Sequence, residues 1–275
     1  MSAIVIGAAA LFGLVIGSFL NVVAYRVPAG LSVVSPPSAC PGCSTAITKR
    51  DNVPVLSWLL LRGACRYCSM RISARYPAVE AGTALAFVVA ALPFATRPLP
   101  LTDPALTIAA VLELVAFLYL AAVSVVLAVI DLDVRRLPDR IVLPGYAVGA
   151  VLLGSASVLR GDVTSLGTAA AGAGAAALLY AVLWFSVPGG MGLGDVKLAG
   201  VLGLFLGHLG VAQAVVGIAG GFLVGGLVGV ALLATRRSGR RSTIPFGPWM
   251  LAGAWIGVLA GMPIADGYLH LTGLA

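Results

Sequence analysis

Long stretches without charge leave this chain few ways to fold. Apolar runs fall at about 3–24, 78–96, 105–130, 140–159, 165–187, 196–209, 210–234 and 246–265, and most approach the roughly 17 to 25 residues of a bilayer-crossing helix. With 60% hydrophobic and 10% charged residues, the 275-residue chain has too little polar surface for a water-soluble domain of its size. The expected fold is an all-α polytopic membrane protein with about eight transmembrane helices. The division between 196–209 and 210–234 rests on Gly207, His208 and Gly210, the only turn signal in that run. The first run lacks a basic leader and is longer than a signal-peptide core, so it reads as a retained helix. No repeat at a fixed period is evident, and the 35 glycines read as close helix packing in lipid.

Charge placement tests the count. Cytoplasmic loops collect Lys and Arg. With the N-terminus outside, Arg26 through Arg75, Arg135, Arg136, Arg140, Lys197, Arg236, Arg237, Arg240 and Arg241 all fall on the cytoplasmic side. Only Arg97 and Arg160 fall outside, so fifteen of the seventeen basic residues share one side. Eight helices with both termini outside are therefore expected. The net charge of +7 follows from this topology and from contact with anionic membrane lipids. No basic soluble face for nucleic acid is visible.

The one sizeable polar segment, residues 26–76, holds all four cysteines, as Cys40-Pro-Gly-Cys43 and Cys65-Arg-Tyr-Cys68. Two C-x-x-C pairs separated by 21 residues suit a tetrahedral four-thiolate zinc knuckle. The other readings are a redox pair or two disulfides. A reducing cytosol disfavours disulfides, and no thioredoxin-like βαβ pattern surrounds either pair. A closed four-cysteine site has no open coordination position, so the metal is expected to fold a small insert and not to activate water.

Chemistry then falls to the carboxylates. Asp51 belongs to the insert, and Asp103, Asp162 and Asp266 lie in outer loops or near an outer end. Glu80 reads as a dipole-complementing acid opening the second helix, and Glu113, inside the third, should face protein or water. Asp131 and Asp133 stand at the end of the third helix, where the helix dipole opposes them, and Asp139 after Pro138 reads as an N-cap. Asp195, in Gly189-Gly190-Met191-Gly192-Leu193-Gly194-Asp195-Val196-Lys197, reads equally as an N-cap or as a functional acid. Two acids from separate loops on one membrane side meet the needs of a water-activating aspartic dyad. Repulsion of roughly 4 kcal/mol at 4 Å and an effective dielectric of 20 would leave one proton shared between them. Neither His208 nor His270 is on the cytoplasmic side, which disfavours a serine or cysteine triad.

Further stretches carry a family resemblance. Gly17-Ser18-Phe19-Leu20-Asn21-Val22-Val23 with Arg26 and Pro28, the two C-x-x-C pairs, Asp51-Asn52-Val53-Pro54, Ile72-Ser73-Ala74-Arg75-Tyr76-Pro77 and Glu80 resemble the N-terminal half of bacterial type IV prepilin peptidases. The run 190–197 and Pro245-Phe246-Gly247-Pro248 resemble the C-terminal half. The resemblance implies a bifunctional inner-membrane enzyme. It would cut the leader from prepilins or pseudopilins after a glycine at the cytoplasmic face, then methylate the new N-terminal amine with S-adenosylmethionine. It also implies Asp131 and Asp195 as the catalytic pair, Asp131 standing seven residues before Pro138 as the family aspartate does, with Asp133 as its near neighbour. The zinc insert identifies the long, methylating form. The implied organisation is a first helix at 1–25, the methylation-linked insert at 26–76 and the peptidase at 77–275. The rival readings are a presenilin-like intramembrane aspartic protease, which also uses G-x-G-D, and a non-enzymatic transporter or scaffold.

Overall fold

In the computed structural model, the described residues are 2–95, 100, 102–186, 191–235 and 245–274. Gly189, Gly190, Arg97 and the basic residues Arg236, Arg237, Arg240 and Arg241 lie outside them. Among the described residues the regular structure is helical: α1 (Ser2–Arg26), α2 (Leu56–Leu60), α3 (Arg75–Ala95), α4 (Pro104–Val134), α5 (Asp139–Val142), α6 (Pro144–Arg160), α7 (Val163–Ser186), α8 (Leu193–Leu209), α9 (Val211–Ala234) and α10 (Gly247–Thr272). Each of the eight expected segments is occupied by a helix. Among the described residues, seven helical stretches are long and apolar enough to cross a membrane. The remaining one, α8, has 17 residues and would rise about 25 Å. Most of α8 from Leu198 to His208 is buried in protein, which relieves it of matching the bilayer alone. The expected break before Val211 is real. Gly210, at φ +138°, closes α8 in a conformation that residues with a Cβ rarely adopt.

The chain divides into two compact units, 1–98 with 117–130, and 99–116 with 131–275. Within each, helices meet at glycine. In the first unit, a Cβ on Gly13 would fall 2.7 Å from the Ala84 Cα, and one on Gly17 would fall 2.7 Å from the Glu80 Cα. In the second, Gly203 and Gly207 of α8 press on the backbone of Gly172 and Thr168 of α7, while Gly257 and Gly261 of α10 press on Gly217 and Gln213 of α9. Lipid tails are as apolar as leucine side chains, so no hydrophobic force draws spanning helices together. Small residues spaced four apart instead let backbones reach van der Waals contact.

Two features differ from expectation. Glu80 is not a first-turn acid, since α3 begins five residues earlier; its buried carboxylate accepts the Val55 N–H at 2.6 Å and so ties the insert to α3. The insert also contains a short repeat. Ala39–Ala46 and Ala64–Arg71 are each closed by one antiparallel bridge, and in each a serine after the second cysteine, Ser44 or Ser69, stands at φ +57°. That serine's N–H reaches the first cysteine's carbonyl at 2.8 Å in one copy and 3.0 Å in the other. The copies share only Ala-Cys-x-x-Cys-Ser, too little identity to register as a period.

Packing at glycine makes a paired prediction on one helix. Gly172→Val drives a side chain into the Gly203 and Gly207 backbone, whereas a Cβ on Gly174 meets nothing within 4 Å. Overpacking costs about 1–3 kcal/mol, so Gly172→Val should melt several degrees lower in detergent, and Gly174→Val should melt like the parent.

Candidate active site and metal centre

Asp131 lies in the last turn of α4, which ends at Arg135 in a left-handed conformation whose N–H returns to the Asp131 carbonyl at 2.9 Å. Asp131 is 5% exposed, and its side chain accepts the Gly247 N–H at 3.0 Å. A Cβ on Gly247 would fall 2.8 Å from that carboxylate oxygen, so Pro245-Phe246-Gly247-Pro248 supplies a bare N–H at a point where no side chain fits. The sequence showed this segment as part of a family pattern. Its role as the partner of Asp131 needed the fold.

Asp195 is not the N-cap of α8. Gly192 holds that position, and Asp195, three residues on, accepts the Gly192 N–H at 2.9 Å. One carboxylate oxygen thus stabilises the helix entry. Asp195 is partly exposed and within electrostatic reach of both Asp131 and Tyr180. Two contacts bring the Asp131 and Asp195 loops together. Leu137 packs on Gly194, where a Cβ would lie 2.9 Å from the Leu137 Cβ, and on Gly247, where it would lie 3.2 Å from Leu137 Cδ2. No sequence signal marked Leu137.

The second contact corrects the reading of Asp139. It is the first residue of α5 and caps nothing; both carboxylate oxygens accept from Lys197 Nζ at 2.8 Å. Pro138 occupies the cap position. Lys197 is further fixed by its carbonyl, which accepts the Tyr146 hydroxyl at 2.8 Å. Lys197 and Asp139 are 37% and 52% exposed, so the pair contributes little energy. Its effect is to set register between α5 and α8. Asp133 is exposed, and the fold directs Asp131, not Asp133, to Gly247. The rings of Tyr180, Phe222 and Phe246 meet in tilted contacts at 5.1 and 5.5 Å between centroids.

Glu113 is buried, as the sequence required, and is paired with Arg160 and with His208 Nε2, the latter at 3.1 Å. Arg160 and His208 thus serve one buried acid and are not extra members of the Asp131–Asp195 group.

In the insert, the four cysteines are unbridged and converge into one cluster, with their sulfurs within 4.8 Å of one another. Cys40 and Cys68 sulfurs stand 3.7 Å apart, and Cys43 and Cys65 sulfurs 4.0 Å. Bonds of about 2.3 Å directed tetrahedrally place sulfurs about 3.8 Å apart, so the donor set fits a four-coordinate thiophilic ion. Each repeat supplies two ligands. Asp51 and Arg66 clasp the two halves in a two-pronged pair with a shortest contact of 2.6 Å, and the guanidinium holds the Asp51 carboxyl below the usual carboxylate range.

The bacterial peptidase A24 N-terminal domain family matches residues 11–94, and the type IV leader peptidase family matches residues 118–234. A prepilin leader peptidase/N-methyltransferase of Aeromonas hydrophila is 38% identical over 288 residues, covering 94% of this chain and 92% of that protein. The chain belongs to the type IV leader peptidase family. Family members of the same description from Bacillus subtilis (strain 168) and Pseudomonas putida are 32% and 36% identical, the former over 95% of this chain and 97% of its own length, the latter over 96% and 94%. No solved structure matches the chain.

The cluster geometry predicts one bound metal per chain in the purified protein. Replacing Cys65 and Cys68 together with Ser should bring the metal-to-protein ratio, read by elemental mass spectrometry, from about one to near zero.

Proposed function

We propose that this chain removes the leader from type IV prepilins or secretion pseudopilins at the cytoplasmic face of a bacterial inner membrane and N-methylates the new terminus. The observation that carries the peptidase half is the joining of Asp131 and Asp195 through Leu137, Gly194 and Gly247. The name shared by the relatives supports both halves.

In this reading the two carboxylates hold one proton. The ionised member takes a proton from water as the water oxygen bonds to the scissile carbonyl carbon. The protonated member donates to the substrate, and the carbon–nitrogen bond breaks with its electron pair going to the amine, which leaves protonated. Gly247 N–H, aimed at Asp131, fixes the orientation of one carboxylate throughout. Asp139 and Lys197 keep the loops in register without touching the substrate.

The cysteines hold zinc as a structural ion, supported by sulfur separations that suit a closed tetrahedron. S-adenosylmethionine, when bound, would supply an electrophilic methyl group to the new N-terminal amine, which would give up a proton, with S-adenosylhomocysteine as the leaving group. Residues 26–76 serve methylation, and 77–275 carry the peptidase. Both termini lie outside and the aspartates face the cytoplasm, a topology supported by the basic-residue asymmetry.

Cleavage of a purified prepilin by single variants tests the assignment. Asn replaces Asp with little change of size. Asp131→Asn and Asp195→Asn should each lose essentially all turnover while accumulating normally in membranes, whereas Asp133→Asn and Asp139→Asn should remain within about tenfold of the parent, as expected for interactions worth about 1 kcal/mol. Gly247→Ala should fall at least tenfold, because its Cβ displaces the Asp131 carboxylate. Normal cleavage by Asp195→Asn would remove the aspartic mechanism, and loss in Asp133→Asn with activity in Asp131→Asn would move the first acid by two residues.

A further inference from the structure

The first compact unit contains a cavity of about 590 Å³ between the ends of α1 and α3 and the cysteine-bearing insert. That volume is within the 300–1,000 Å³ of small-molecule sites. Its lining includes Glu80 and Asn21, the aromatic residues Trp58, Tyr25, Tyr67 and Tyr76, and the arginines Arg26, Arg66 and Arg71, of which Arg66 is paired with Asp51 and Arg26 donates to the Ser32 and Pro36 carbonyls. None of the residues given a role in the proposed peptidase chemistry lines this cavity.

The walls are built and not incidental. Trp58 is fixed on both sides: its ring N–H donates to the Ile72 carbonyl at 3.1 Å, and Gly63, at φ +67°, packs so closely that a Cβ would lie 2.9 Å from the indole. Asn21 donates to the Tyr76 carbonyl at 3.1 Å, which ties α1 to the start of α3. Glu80 is 8% exposed. Its partner Val55 stands at φ +60°, a costly conformation for a β-branched residue, and thereby turns its N–H onto the Glu80 carboxylate. A buried carboxyl group is thus held in place by a strained backbone at the wall of a cavity lined with aromatic residues.

That lining has a definite chemical preference. Aromatic faces attract cations and stack on flat heterocycles. A buried carboxylate beside them favours a positive ligand over a neutral one of the same shape. A purine nucleoside carrying a sulfonium combines both features. We propose that this cavity is the S-adenosylmethionine site, with the adenine against the aromatic wall, Trp58 included, and the sulfonium toward Glu80. The assignment rests on the methyltransferase reading above. It gives the cysteine cluster a further consequence: Cys40 and Cys65 line the same cavity, so a metal held there would fix one wall of the donor site.

Equilibrium binding of S-adenosylmethionine and S-adenosylhomocysteine to the full-length protein in detergent, by titration calorimetry, tests it. The two ligands differ in the sulfonium charge, and the amide of Glu80→Gln still accepts the Val55 N–H. Glu80→Gln should weaken S-adenosylmethionine at least tenfold and S-adenosylhomocysteine less than threefold, and Trp58→Leu should weaken both at least tenfold, with metal content unchanged in each. Photocrosslinking of methyl-tritiated S-adenosylmethionine to the unmutated protein should label peptides from residues 17–80. Parent-like binding in both variants, or label recovered only from residues 131–275, overturns the site while leaving the methyltransferase reading intact. Absence of binding of either ligand by the unmutated protein overturns that reading together with the site.

Discussion

Backbone-to-backbone contact between helices in lipid is the constraint on which the rest depends. Within a bilayer, apolar side chains gain nothing by leaving lipid for one another, so helices associate through close packing and hydrogen bonds. Here the contacts are made at Gly203 and Gly207 against α7, and at Gly257 and Gly261 against α9. The α7 contact fixes α8, whose entry carries Asp195. The α9 contact fixes α10, whose first residue, Gly247, donates to Asp131. Close packing far from the carboxylates therefore decides where the carboxylates stand.

Around the pair, glycine has a different role. Gly194 and Gly247 are small so that Leu137 and the Asp131 carboxylate can occupy the space where their side chains would be. The Asp139–Lys197 pair adds register at little energetic return. Asp195 meanwhile serves helix entry and remains within electrostatic reach of Asp131. A residue that accepts a backbone N–H with one oxygen is held in place while its other oxygen keeps its bonding capacity, which suits a proton-transferring group. The two readings of Asp195 open from the sequence, helix entry and function, are compatible.

What was legible in the sequence follows from which physics acts locally. Apolar runs and basic loops report the cost of placing charge in lipid, so the eight helical segments and their order were readable, including the break at Gly210. The C-x-x-C pairs were readable because two ligands sit in one turn. Asp139 and Glu80 were misassigned for one reason: each looks like a helix-terminus acid when judged by its neighbours, yet each is bound to a partner distant in sequence, Lys197 and Val55. Leu137 carried no signal at all, since its importance lies in touching two glycines from different loops. The repeat around the cysteines escaped notice because backbone geometry repeats there while few side chains do.

The central claim is that Asp131 and Asp195 act as one proton-sharing unit. The pH dependence of kcat/KM for prepilin cleavage tests it most directly. A shared proton requires one carboxylate ionised and one protonated, so the profile should rise and then fall, and Asp133→Asn should keep both limbs in place. A profile with a single limb, rising to a plateau as one isolated base ionises, would contradict the account.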